Sequence, residues 1–150
     1  MAQSLAVVLV HLVFSTKERR PDIRPEVEAE LHRYLAGTCR ELGCPTLGIN
    51  GTEDHVHIVF SLSRTITIAD FVEKVKANSS GWIKTKGREY RDFAWQGGYG
   101  AFSIGQSGVP AAKRYLAGQK EHHRKVSFQE ELRDLLGRYQ KEYDERYLWD

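Results

Sequence analysis

Cysteine is scarce. The 150 residues contain two, Cys39 and Cys44, within Cys-Arg-Glu-Leu-Gly-Cys. That spacing is not one that binds zinc and asks for no disulfide, so both read as reduced thiols. No apolar run approaches the about 20 residues that span a bilayer. Residues 5–14 are apolar, but they lack the basic segment and small-residue cleavage site of a signal peptide, and a cytoplasmic protein is the expectation. Repeats and low-complexity stretches are absent. Gly97-Gly98 is not followed by Gly-Lys-Ser/Thr, so no nucleotide cofactor is expected. An excess of one charge is missing too, the net charge being +2. What is present, 41% hydrophobic and 28% charged residues, describes one soluble domain spanning residues 1–150. That length is enough to bury a core without covalent staples.

The charge is unevenly spread. Residues 72–92 hold six basic side chains against three acidic, and residues 113–125 hold five against Glu121 alone. The stretch from Gln129 to Asp150 holds seven acidic and four basic. A basic centre suits a polyanionic partner, although solvated helix faces account for the same pattern.

Leu5–Phe14 reads as a buried strand. Pro25–Leu42 carries Val27, Leu31, Leu35 and Leu42 at helical spacing, with Gly43 suited to its end. Thr46–Asn50 and His55–Leu62 read as strands of a hairpin, with Asn50-Gly51 favouring the tight turn between them. Thr67 with Asp70 marks the start of a second helix, whose apolar positions run to Ile83. Tyr99–Ile104 reads as the last strand. Pro110 suits the first turn of a third helix reaching about Lys125, and a further helix covers Phe128–Gln140. The order β-α-β-β-α-β is the ferredoxin-like pattern, an α+β fold with helices on one face of an antiparallel sheet. The other face is left for the C-terminal helices or a partner subunit.

Two constellations carry chemistry. In Asp54-His55-Val56-His57-Ile58-Val59-Phe60, side chains alternate between the two faces of the sheet. Val56, Ile58 and Phe60 share the face toward the helices, and His55 and His57 share the other, where their imidazoles can converge on one ion. Alone, His-x-His also fits two ordinary half-exposed histidines. Asp54 is placed to orient a ligand, and His11, alternating with Leu9 and Val13, is a second candidate for that role. The other constellation is Lys113-Arg114-Tyr115-Leu116-Ala117-Gly118-Gln119. Tyr115 and Gln119 lie one helical turn apart. Tyr115 offers a phenol for nucleophilic attack, and Gln119 a neutral oxygen for a metal, although the helix taken alone favours a core tyrosine and a surface glutamine. His122 and His123 read as polar surface residues or phosphate contacts, with metal ligation the alternative. Lys17, Arg19 and Arg20 after the first strand, Lys84, Lys86 and Arg88 in the 72–92 stretch, and Lys113 and Arg114 are the candidate contacts to a polyanion. Trp82, Trp95, Tyr99 and Phe102 suit either base stacking or core packing.

With both constellations in place, the chain resembles the IS200/IS605-type single-tyrosine transposases of the HUH endonuclease superfamily. The resemblance runs through HLVFSTKERRP, DHVHIVF, SSGWIK, FAWQGGYGAFS, YLAGQKEHHRK, FQEELRDLL and YDERYLWD. It implies that Tyr115 is the nucleophile and that His55, His57 and Gln119 hold a divalent metal, Mg²⁺ or Mn²⁺. Two imidazoles and an amide suit Mn²⁺ better by ligand type. Where the family reads Tyr-Ile-x-Asn-Gln-Glu, this chain has Gly118 and Lys120. The resemblance further implies cleavage and rejoining of single-stranded DNA through a 5′-phosphotyrosine link, recognition of hairpins at the element ends, and a homodimer whose tyrosine helices can act in trans. Two other readings are a non-catalytic hairpin-binding or single-strand-binding protein and a metal-dependent nuclease that uses water.

Overall fold

The computed structural model describes residues 2–150. Four antiparallel strands form one sheet. They are β1 (Leu9–Ser15), β2 (Thr46–Gly51), β3 (His55–Ser61) and β4 (Gly100–Ile104), in the spatial order β2-β3-β1-β4. Helices α1 (Pro25–Glu41) and α2 (Ile68–Lys84) make the two crossovers, which completes the ferredoxin-like unit. Three further helices follow: α3 (Val109–Ala117), α4 (Gln119–His122) and α5 (Phe128–Arg138).

The pleat sorts the side chains. Val10, Leu12 and Phe14 of β1 and Val56, Ile58 and Phe60 of β3 join the main core with Val27, Leu31 and Leu35 of α1 and Phe71, Val72 and Val75 of α2. The helix residues recur three or four apart and so form one stripe each. Thr67 caps α2 by accepting the Asp70 N–H at 3.1 Å. The opposite face of the sheet is covered by α5. Its Phe128, Leu132, Leu135 and Leu136 pack on Val13 and Phe102, and Ser127 caps it by accepting the Glu130 N–H. Helix α3 lies over β2, where the Asn50 side-chain amide donates to the Leu116 carbonyl at 2.7 Å. Among the described residues no helix is long and apolar enough to cross a membrane.

The structure differs from the sequence expectation at three boundaries. Strand β1 begins at Leu9, not Leu5. Leu9 already pairs with Ser61 and Ile104, the last residues of β3 and β4; beyond it Val8 still accepts the Leu62 N–H, but the strands end there, and Leu5 and Val7 are exposed. The hairpin turn is at Glu53-Asp54, not Asn50-Gly51. Gly51 pairs with Val56 inside the ladder, and Thr52 N–H donates to the His55 carbonyl to close the turn. The third helix does not run unbroken to Lys125 but stops at Gly118 and resumes at Gln119.

Gly51 is needed for close approach: a Cβ there would stand 2.2 Å from the His55 carbonyl oxygen. Gly37, inside α1, would meet nothing within 4 Å. Gly51→Ala is expected to lower stability by about 1–3 kcal/mol, the usual cost of forced overpacking. Gly37→Ala should raise it by about 0.5–1 kcal/mol through helix propensity. Urea unfolding followed by circular dichroism checks both; equal effects would contradict the close-approach argument.

Candidate metal and tyrosine centre

Strand β3 enters its ladder immediately after the Glu53-Asp54 turn, and this brings His55 and His57 onto the face covered by α3–α5. Both are fully buried. His55 Nδ1 is 2.6 Å from Asp54 Oδ1 and 2.9 Å from Thr52 Oγ1, which turns its Nε2 inward. His57 Nδ1 is 2.7 Å from His11 Nε2. His11 sits diagonally across the β1–β3 ladder, its own register partner being Val59. His57 Nε2 therefore also faces inward.

The inward nitrogens meet a carboxylate. Glu131, 2% exposed, sits on α5 with Oε1 at 2.8 Å from His57 Nε2, 3.0 Å from His123 Nε2 and 3.5 Å from His55 Nε2. Its Oε2 accepts the Tyr115 hydroxyl and, at 3.1 Å, the Gln119 side-chain amide. Gln119 Oε1 lies 3.3 Å from His55 Nε2. His122 Nε2 is 3.3 Å from Glu131 Oε2 but off hydrogen-bond geometry, and it has no partner of its own. With Glu131 ionised, the network assigns His57 the tautomer that donates at Nε2 and accepts from His11 at Nδ1.

Burial pushes His57 down to about 4 and, with repulsion from His57, pushes His11 down to about 3. Both rings are thus neutral, and His57 presents an Nε2 lone pair to an ion only with its proton moved to Nδ1 and His11 Nε2 accepting it. Burial also opposes charge on His55, but hydrogen bonds to Asp54 and Glu131 outweigh it and hold that ring up at about 9. Burial works against the Glu131 charge as well, yet hydrogen bonds from His123, His55 and His57 keep its carboxyl far below the usual range. Burial and the Glu131 carboxylate raise the Tyr115 phenol.

His55, His57, His123 and Glu131 offer four ligand atoms within 4.8 Å of one another, a nitrogen–oxygen set that suits a divalent transition ion. Gln119 borders it. The donor chemistry fits the divalent metal that the resemblance implies.

Of the residues singled out in the sequence, Tyr115, His55, His57, Gln119, Asp54 and His11 converge here. The structure adds Glu131, which no motif marks, and places His123, a surface candidate by sequence, in the same cluster. The signal for Glu131 is its place in the stripe Phe128, Glu131, Leu132, Leu135, where a carboxylate interrupts an otherwise apolar face. The basic candidates divide into three groups. Lys17, Arg19 and Arg20 occupy the turn after β1, at the His55 end of the sheet, where Thr16 N–H donates to the Asp54 carbonyl. Arg19 lies over the Trp149 ring, and Arg20 pairs with Glu18. Lys113 and Arg114 are exposed beside Tyr115. Lys84 and Lys86 end α2 in the helical layer on the other side of the sheet, with Lys86 paired to Glu30, and Arg88 follows them. These three are not brought together with the centre. Trp95 and Phe102 are core residues, Trp95 against Phe14 and Phe93. Trp82 stacks on Tyr34. Tyr99 is exposed.

The family described as transposase IS200 like matches residues 4–119, and the chain belongs to it: it is a transposase of the single-tyrosine IS200/IS605 type. Among solved structures, a candidate transposase from Deinococcus radiodurans R1 is similar at TM-score 0.62 and 20% identity, over 79% of this chain and 98% of that one. A REP-associated tyrosine transposase bound to a REP hairpin is similar at TM-score 0.60 and 11% identity, over 84% of this chain and 76% of that one. At those identities the likeness is one of fold. No curated protein matches the sequence. His123 and Glu131 lie beyond the span of the family match.

A raised folded-state pKa means that His55 stabilises the fold fully below its unfolded value of about 6.5, and that this contribution is lost as pH rises toward 9. Without metal, stability should therefore fall between pH 6.5 and 8 by roughly 2 kcal/mol. Asp54→Asn, which removes a partner of the charged ring, should flatten this slope. Denaturation in the presence of a chelator across that range measures it, and an unchanged slope in the variant would contradict the assignment.

Proposed function

We propose that this transposase cleaves and rejoins single-stranded DNA through a phosphotyrosine on Tyr115, assisted by a divalent metal held by His55, His57 and Gln119. The observation that carries this reading is the meeting of the Tyr115 hydroxyl with the buried imidazole–carboxylate cluster within one chain. When bound, the ion polarises the scissile phosphate and offsets the charge that develops on it. The Tyr115 oxygen attacks phosphorus in line and the bond to the 3′ oxygen breaks, leaving a 3′-hydroxyl and a 5′-phosphotyrosine. A second 3′-hydroxyl then attacks the phosphotyrosine, joins the strands and releases the phenol. The link keeps the energy of the phosphodiester, so no nucleotide is consumed.

The chain's own groups prepare this step. Asp54 and His11 fix the ring orientations of His55 and His57. The Asn50–Leu116 bond holds the tyrosine helix against β2. A groove lined by His11, Ala112, Tyr115, Leu135, Arg138 and Tyr139 opens beside the phenol and admits a strand. Lys113 and Arg114 flank it as phosphate contacts, with Lys17, Arg19 and Arg20 at the His55 end. The hairpin bound to the solved relative makes a DNA hairpin the partner to test. The ion is Mn²⁺ or Mg²⁺, and the imidazole content favours Mn²⁺. Two copies that exchange tyrosine helices, as the resemblance implies, must first detach Tyr115 from Glu131, whereas a site working in cis needs no exchange.

Tyr115→Phe removes one oxygen and should eliminate both cleavage and the covalent adduct on single-stranded element ends with Mn²⁺. Mass spectrometry of the digested adduct should place the DNA on Tyr115; DNA on another tyrosine would overturn the mechanism. Cleavage without an adduct identifies hydrolysis by water, and binding without cleavage identifies a binding module. His57→Ala should abolish cleavage while hairpin binding persists, and binding should weaken as salt rises. Mixing Tyr115→Phe with His57→Ala chains restores activity only if the helices act in trans.

A further inference from the structure

Glu131 is a carboxylate where the helix pattern calls for a leucine. It lies between Phe128 and Leu135 on the buried stripe of α5, with 2% exposure. A buried carboxylate is destabilising unless partners offset the loss of water, so packing does not explain it. Its two oxygens face different groups. Oε1 is directed at the Nε2 atoms of His57, His123 and His55, and Oε2 at the Tyr115 hydroxyl and the Gln119 amide. The first set belongs mainly to the sheet, and the second to the tyrosine segment.

We propose that Glu131 is an anionic ligand of the metal and, through its other oxygen, the positioning residue that holds Tyr115 beside it. The inference rests on the metal-and-tyrosine reading above and adds α5 to the centre. The charge argument is direct. Imidazole and amide ligands bring no negative charge to a buried dication, and Asp54 stands behind His55 with its oxygen on the far nitrogen. Among the described residues Glu131 is the carboxylate within ligand distance of the inward nitrogens. A set of two or three imidazoles with one carboxylate selects a transition dication such as Mn²⁺ over Mg²⁺. The same carboxylate then fixes where the phenol oxygen lies relative to the ion, so metal retention and nucleophile placement depend on one side chain.

The test is Mn²⁺ binding by the full chain without DNA, read from the electron paramagnetic resonance signal of free Mn²⁺. Glu131→Gln keeps the shape and removes the charge, and it should weaken binding roughly ten- to a hundredfold. The variant should also show a lower kcat for adduct formation, with hairpin affinity unchanged. Wild-type Mn²⁺ affinity in Glu131→Gln would overturn the proposal. Should that variant fail to fold, Glu131→Asp and Glu131→Ala replace it. Aspartate should retain more Mn²⁺ affinity than alanine, and equal affinity would overturn the proposal. If the wild type forms the Tyr115 adduct and Glu131→Gln binds Mn²⁺ normally, only the role of Glu131 falls. If the wild type binds no Mn²⁺, the metal reading falls with it.

Discussion

A carboxylate cannot sit in a protein interior without donors around it, and the open face of this sheet is organised by that requirement. Glu131 receives hydrogen bonds from β3, from the tyrosine helix and from the segment after it. Removing one donor leaves the carboxylate undersatisfied, and removing the carboxylate leaves imidazoles and a phenol facing one another without their shared acceptor. Helix α5 therefore covers the sheet in two ways. Its leucines exclude water, and its glutamate gives the buried polar groups something to bond. The ordinary hydrophobic core lies on the other side of the strands and is free of these demands.

The parts that were legible in the sequence follow from rigid periodicities. A strand's side-chain period is two, so the placement of Val56, Ile58 and Phe60 against His55 and His57 could be read directly from the chain. The stripes of α1 and α2 were legible for the same reason. Local signals did less well where distant contacts overrode them. Asn50-Gly51 has turn chemistry, yet Asn50 bonds the Leu116 carbonyl and Gly51 accepts the close approach of His55. Asn50 thus serves tertiary packing, and Gly51 the tight ladder beside the turn. At Gly118 the helix breaks, and Gln119 is still carried into the centre, fully buried.

Glu131 was hidden for a different reason. The charged residues around it, Glu130, Arg133 and Asp134, make the segment look like a solvated helix face, and only the phase of the leucines marks one acid as inward. Charge counting likewise grouped Lys84 and Lys86 with Lys113 and Arg114, because composition carries no information about which side of a sheet a residue occupies. The centre's two imidazoles were visible because they share one strand. Its carboxylate was obscure because it comes from a helix more than seventy residues later, at a distance in sequence set by topology and not by any motif.

The register of β3 also limits how such a centre can diverge. Inserting or deleting one residue between the Glu53-Asp54 turn and His57 would rotate the following side chains to the opposite face. An imidazole would then point into the apolar layer under α1 and α2, and an aliphatic side chain would face the tyrosine. Divergence along this strand must therefore proceed by substitution, with length held constant. The connection at residues 105–108 lies outside the ladder, so changes of length there leave the pairing of His55 and His57 untouched.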